Sequence, residues 1–123
     1  MGTEILVADD DAAIQDIVQS SLSSYDITTV ETGDAVLAHL SSGAIDPQLL
    51  ILDVMMPTLD GFSTLEEIRQ SEEFASLPVL MLTSRGREDD VLRALELDAT
   101  DFVTKPFKPH ELRIRVERIL SSR

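Results

Sequence analysis

The sequence predicts an α/β fold of the doubly wound kind, and three observations predict it. Short apolar runs alternate five times with amphipathic stretches, the runs show no regular polar alternation, and the links between them are short. A strand that is apolar throughout belongs to a sheet covered on both faces. Strand and helix in alternation, joined by short links, make that sheet parallel. The expectation is a (βα)5 sandwich: five parallel strands with helices on both faces.

Each element has its own signal. Ile5-Leu6-Val7-Ala8 is the first strand, and Ile14, Ile17, Val18 and Leu22 follow at helical spacing. Tyr25 to Val30 is rich in β-branched residues and reads as the second strand. Val36, Leu37 and Leu40 mark the second helix, Leu49-Leu50-Ile51-Leu52 the third strand, and Phe62, Leu65 and Ile68 the third helix. Val79-Leu80-Met81-Leu82 follows Pro78 as the fourth strand, and Val91, Leu92 and Leu95 mark the fourth helix. Phe102-Val103 is a short fifth strand, and Leu112, Val116, Ile119 and Leu120 mark the last helix. Repeats, low-complexity tracts and linkers are absent, so residues 1–123 read as a single domain.

Composition narrows the function classes. No apolar run is long enough to cross a membrane, and the opening residues do not form a signal peptide. Without cysteine there is neither a disulfide nor a thiolate metal site, and a cytoplasmic location fits. The net charge of −13 is unevenly spread. Residues 1–68 hold 13 acidic residues and no Lys or Arg, while residues 69–123 hold 10 acidic and 10 basic ones. Acidity of this kind serves solubility, and it also makes the first half a poor nucleic-acid surface and a natural place for a cation.

In a parallel sheet the strand carboxyl ends share one edge, and ligands bind there where strand order reverses. Asp9-Asp10-Asp11 follow the first strand, Asp53 the third, Thr83 and Ser84 the fourth, and Lys105-Pro106 the fifth. In strand order 2-1-3-4-5 the first and third strands are neighbours, so Asp9, Asp10 and Asp53 converge. One acidic residue before Ala12-Ala13-Ile14 is explained as a helix cap, and Asp11 is best placed for it. Three in a row repel one another unless something offsets the charge. Clustered hard oxygen ligands suit Mg²⁺, with Mn²⁺ as an alternative, and the lack of nearby His or Cys argues against zinc. Asp53 reads either as a turn starter or as a nucleophile held rigidly on a buried strand, able to attack phosphorus. Turn chemistry comes later, at Pro57 and Asp60-Gly61. Lys105 and Thr83, at the same edge, can offset and hydrogen-bond the phosphoryl oxygens.

Taken together, Ile5 to Asp11, Leu52-Asp53-Val54-Met55-Met56-Pro57 with Asp60-Gly61, Pro78 to Thr83, and Asp101-Phe102-Val103-Thr104-Lys105-Pro106-Phe107 resemble the receiver domain of bacterial two-component response regulators. The resemblance runs the whole length of the chain. It implies Asp53 as phospho-acceptor and Asp9, Asp10, Asp53 and the Met55 carbonyl as Mg²⁺ ligands. It implies Thr83 and Lys105 as phosphoryl contacts, Phe102 as the aromatic switch residue that follows Thr83, and a cis Lys105–Pro106 peptide. A sensor histidine kinase or phosphotransfer protein supplies the phosphoryl group in such a family. Phosphorylation then alters the surface of the fourth strand and helix and the fifth strand and helix, which acts on an output domain or partner protein or forms a homodimer. The domain is not an enzyme beyond transfer onto itself and slow loss of phosphate. Neither nucleic acid nor membrane is bound directly.

Two departures from the family pattern stand out. Asp98 occupies a turn position where glycine is usual, at a small expected cost in stability. Asp101, Glu111 and Arg115 match the dimer-forming charges of relatives with winged-helix output domains, whereas Asp90 stands where a basic residue is usual and Thr100 where an acid is. The residues two beyond Asp53 and Thr83, which tune phosphate loss in the family, are Met55 and Arg85. Met55 cannot orient a water by hydrogen bonding, so a long-lived phosphoryl state is expected. Rival readings are a receiver-like protein-interaction module that works without phosphorylation, a flavin or nucleotide carrier, and an aspartyl phosphatase. The carrier lacks its Gly-rich phosphate loop after the first strand. The phosphatase lacks Thr or Val two residues after its second Asp, where Ala13 stands.

Overall fold

The computed structural model describes residues 2–84 and 88–122. The chain runs β1 (Glu4–Ala8), α1 (Ala12–Ser21), β2 (Asp26–Val30), α2 (Gly33–Ser42), β3 (Leu49–Asp53), α3 (Gly61–Gln70), β4 (Val79–Ser84), α4 (Glu88–Glu96), β5 (Asp101–Lys105) and α5 (Pro109–Ser121). The strands make one parallel sheet in the order β2-β1-β3-β4-β5, as the sequence predicts.

Side chains alternate across a strand, so one sheet serves two cores. Ile5, Val7, Leu49, Ile51, Leu80, Leu82 and Val103 face α1 and α5, where they meet Val18, Leu22, Leu112, Val116 and Ile119. Leu6, Ala8, Leu50, Leu52, Val79 and Met81 face the other way, toward Val36, Leu40, Leu65, Ile68 and Ala94 of α2, α3 and α4. All five residues of β3 are buried, which makes it the sheet's spine. Truncating one of its leucines to alanine costs about 2–5 kcal/mol through lost burial and the cavity left behind.

The helix ends follow local chemistry. Asp11 caps α1 by accepting the Ala13 amide at 2.9 Å, Thr32 caps α2 through Ala35 at 3.1 Å, and Asp60 caps α3 through Ser63 at 2.8 Å. α2 stops at Gly43 in the left-handed region, φ 71°, which glycine adopts without the backbone strain that an L side chain brings. Asp98, read as a departure from glycine, takes φ 61°.

Three strands run past the carboxyl ends of their apolar runs, and β1 also takes in Glu4 at its start. β3 takes in Asp53, β4 takes in Thr83 and Ser84, and β5 extends from Asp101 through Lys105. The ladder explains this, since Asp53 pairs with Leu82, Thr83 with Thr104 and Ser84 with Lys105. The backbone keeps pairing where the hydrophobicity stops. Residues read as following the strands are therefore fixed within them. β2 begins one residue later than expected, because the Tyr25 amide is held in a turn by the Leu22 carbonyl at 3.0 Å.

Candidate functional site

The carboxyl ends of β1, β3 and β5 meet at one edge of the sheet. Asp9 lies just past β1 and is fully buried, with its amide donating to the Val30 carbonyl of β2 at 3.1 Å. Asp9 Oδ1 accepts the Asp11 amide at 2.9 Å, which aims the other oxygen inward. Asp53, the last residue of β3, is also buried. Asp10 is exposed beside them. One carboxylate oxygen from each of Asp9, Asp10 and Asp53 lies within 4.8 Å of the others.

Lys105 closes the cluster from β5. Its ammonium donates to Asp9 Oδ2 at 2.9 Å and to Asp53 Oδ1 at 3.0 Å. The peptide after it, Lys105–Pro106, is cis, as the resemblance implies. Burial pulls the Lys105 ammonium down, but its hydrogen bonds to Asp9 and Asp53 outweigh that and its pKa lies above the ordinary value. Asp53 is shifted upward too. Burial is the largest cause, Asp9 and Asp10 add to it, and Lys105 opposes it. An ion pair alone would push the carboxyl down. Desolvation and like charges therefore win at Asp53, and the site holds more negative charge than one lysine offsets.

The donor set fits a hard divalent cation. Three carboxylates converge, every donor is oxygen, and the surplus charge calls for a second positive ion. Met55 follows Asp53 by two residues and is 61% exposed. Thr83 sits on β4 next to Asp53's strand and is fully buried, with Oγ1 lacking a hydrogen-bond partner among the described residues. Phe102, on β5, packs half-buried against the core under α2, α3 and α4. Arg85, paired with Met55 in the sequence reading, lies outside the described residues.

Several residues that hold the site were not legible as functional. Gln15 of α1 donates to the Asp9 carbonyl at 2.6 Å and so ties the helix to the strand end. Gly61 reads as turn chemistry in sequence. In the fold it lets α3 lie directly on β3, where a methyl group would collide with the Asp53 carbonyl. The Gly61 amide also donates to the Val54 carbonyl at 2.9 Å. The signal available was an Asp-Gly pair placed at a helix start, where Gly is otherwise a poor choice.

A doubly wound domain carries, at the carboxyl edge of its sheet, three clustered carboxylates that could hold a metal ion, with a lysine bonded to two of them. The profile of the response regulator receiver domain matches residues 5–117, and the chain belongs to that family. It is 40% identical over 122 residues to the alkaline phosphatase synthesis transcriptional regulatory protein PhoP of Bacillus subtilis strain 168, covering 98% of this chain and 49% of that one. The chain thus spans about half the length of the curated relatives it matches. Among solved structures, it resembles the receiver domain of NtrX from Brucella abortus with a TM-score of 0.87 and 34% identity, over 97% of this chain and 99% of that one. The phosphorylated cyanobacterial phytochrome response regulator RcpA gives a TM-score of 0.89 at 25% identity, over 100% of this chain and 97% of that one. The chain is a response regulator receiver domain of two-component signalling, and among the described residues no helix is long and apolar enough to cross a membrane.

Proposed function

We propose that Asp53 accepts a phosphoryl group with Mg²⁺ held by Asp9, Asp10, Asp53 and the Met55 carbonyl. The observation that carries this reading is the convergence of the three carboxylates within 4.8 Å beside an ammonium that touches two of them. The bound cation supplies charge neutralisation for the incoming phosphoryl oxygens. Asp53, fixed as the last residue of a buried strand, presents a carboxylate oxygen to phosphorus. The new O–P bond forms as the bond to the donor's nitrogen or oxygen breaks, and the electron pair leaves with the donor. Lys105 shifts its contact from the Asp53 carboxylate to a phosphoryl oxygen, and the Thr83 hydroxyl donates to another.

The donor is a histidine kinase, a phosphotransfer protein or a small acyl phosphate. The reaction is transfer onto the chain itself followed by slow hydrolysis, with no other substrate, and it takes place in the cytoplasm. Phosphorylation draws Thr83 toward the phosphate, Phe102 follows, and the surface of β4, α4, β5 and α5 changes. That surface carries exposed Leu92 and Leu95 on α4 and Ile114 on α5. It acts on an output domain or partner, or joins a second copy. In the isolated chain Arg115 is already engaged by both oxygens of Asp101 at 3.0 Å. A homodimer drawing on those charges has to exchange that pair for one across the interface.

The test is labelling by acetyl phosphate with and without Mg²⁺, read by the mass of the intact chain. The reading expects Mg²⁺-dependent incorporation of one phosphoryl group that Asp53→Asn abolishes. Labelling of the Asp53→Asn chain at the rate of the parent overturns it.

A further inference from the structure

We infer that Asp34 and Thr58 form a latch that positions the loop after Asp53 for cation binding. The inference rests on the metal-dependent reading above and adds two positioning residues to it. The loop from Val54 to Asp60 carries Met55, whose side chain is exposed. Its backbone must therefore be held by what grips the loop on either side. One grip is at the base, where the Val54 amide donates to the Leu82 carbonyl at 3.3 Å and the Val54 carbonyl accepts from Gly61. The other comes from the first turn of α2.

Thr58 stands at φ 65°, a region a β-branched residue avoids. The Leu59 amide donates to the Pro57 carbonyl at 2.8 Å, which closes a γ-turn of the strained positive-φ kind around Thr58. Such a turn persists only where its surroundings enforce it. The Thr58 hydroxyl shares its one proton between the Asp34 carboxylate, at 2.5 Å, and the Pro57 carbonyl, at 2.7 Å. Beside it the Gly33 amide donates to the Leu59 carbonyl at 3.2 Å. A methyl group on Gly33 would collide with Leu59 and Thr64, so α2 and the loop approach as closely as backbone allows. Three successive loop residues are thus tied to the start of α2 or to one another. Asp34 does not belong to the carboxylate cluster formed by Asp9, Asp10 and Asp53. It acts through Thr58 on the loop that bears the Met55 carbonyl.

The test is calorimetric titration of Mg²⁺ alone into the parent chain and into Asp34→Ala, Asp34→Asn, Thr58→Val, Thr58→Ser and the Asp34→Ala/Thr58→Val double variant. Thermal unfolding in chelator runs alongside. Asp34→Ala and Thr58→Val are each expected to weaken Mg²⁺ binding about tenfold, the lower end of what outer partners of metal ligands contribute. The double variant is expected to be no worse than either single one, because both break the same bond. Asp34→Asn and Thr58→Ser keep acceptor and donor and are expected to bind within about threefold of the parent. A structural role alone would lower the unfolding midpoint in chelator and leave Mg²⁺ affinity unchanged in the folded variants. That result, or Thr58→Val binding as tightly as Thr58→Ser, overturns the latch. If the parent chain binds Mg²⁺ and is labelled while the latch variants match it, only the latch fails. If the parent chain neither binds nor is labelled, the functional reading fails as well.

Discussion

Lys105 Nζ stands 3.0 Å from Asp53 Oδ1, yet the Asp53 carboxyl is shifted toward its protonated form. The lysine opposes that shift and loses to burial and to the charges of Asp9 and Asp10. A carboxyl with a raised folded pKa binds its proton more tightly in the native state than in the unfolded one. By linkage, the chain loses stability as pH rises from the ordinary value of 3.8 through the raised one. At neutral pH without metal, Asp53 therefore destabilises the fold. Asp53→Asn is expected to raise stability on the order of 1 kcal/mol at pH 7, a few degrees in the unfolding midpoint. The gain should shrink as pH falls through the raised value and past 3.8, below which the parent carboxyl becomes neutral in both states. Thermal unfolding in chelator across that pH range checks both points, and a gain independent of pH is inconsistent with a charge origin.

Removing the lysine has the opposite sign. Its raised pKa means that its contribution is present throughout the neutral range and is lost only as pH rises past 10.5. Lys105→Met leaves Asp9 and Asp53 facing each other without a cation. The metal-free chain is expected to lose about 1–3 kcal/mol at pH 7, less than for a fully buried pair because Lys105 reaches solvent. Mg²⁺ affinity is expected to rise several-fold, since the ammonium no longer competes for the carboxylates, while labelling by acetyl phosphate slows. Urea unfolding and metal titration on one sample distinguish these effects.

The fold was legible because β1, β3 and β4 each carry an unbroken run of four apolar residues, as a sheet buried on both faces requires. Asp9, Asp10, Asp53 and Lys105 could be singled out because each falls at the carboxyl end of a strand. Strand limits were less legible, as at Thr83 and Lys105, because ladder pairing continues through polar residues that hydrophobicity does not mark. Apart from the Asp60-Gly61 pair, the supports were not legible. Gln15, Gly61 and the Asp34–Thr58 pair act through backbone carbonyls and close approach, and those depend on which helix packs against which loop. No spacing in a single sequence encodes that.

Thr83 carries a buried hydroxyl with no partner among the described residues. A buried donor left unmade costs about 1–3 kcal/mol, and an apolar group of the same shape removes that cost. Thr83→Val is expected to leave the metal-free chain as stable as the parent or up to about 1 kcal/mol more so. The same change removes the hydrogen bond proposed for the phosphorylated state. Chemical shifts of Phe102 and of α4 residues should then respond less to beryllofluoride with Mg²⁺ than in the parent chain. An undiminished response would assign the coupling to another group.

Met55 sets the expected lifetime of the phosphoryl state. It is 61% exposed two residues beyond Asp53, and its thioether is a poor hydrogen-bond partner for an attacking water. Hydrolysis of the acyl phosphate needs a water held in line with the O–P bond, and a positioned polar group contributes on the order of 10-fold or more to such steps. Met55→Asn supplies a carboxamide at that place without touching the carboxylates or the backbone carbonyl. Loss of phosphate from the Mg²⁺-bound chain, followed by intact mass after the donor is removed, is expected to speed up about 3- to 10-fold. Met55→Leu, which has similar bulk and no polarity, should match the parent. Equal rates in the asparagine and leucine variants would place control of hydrolysis elsewhere in the site.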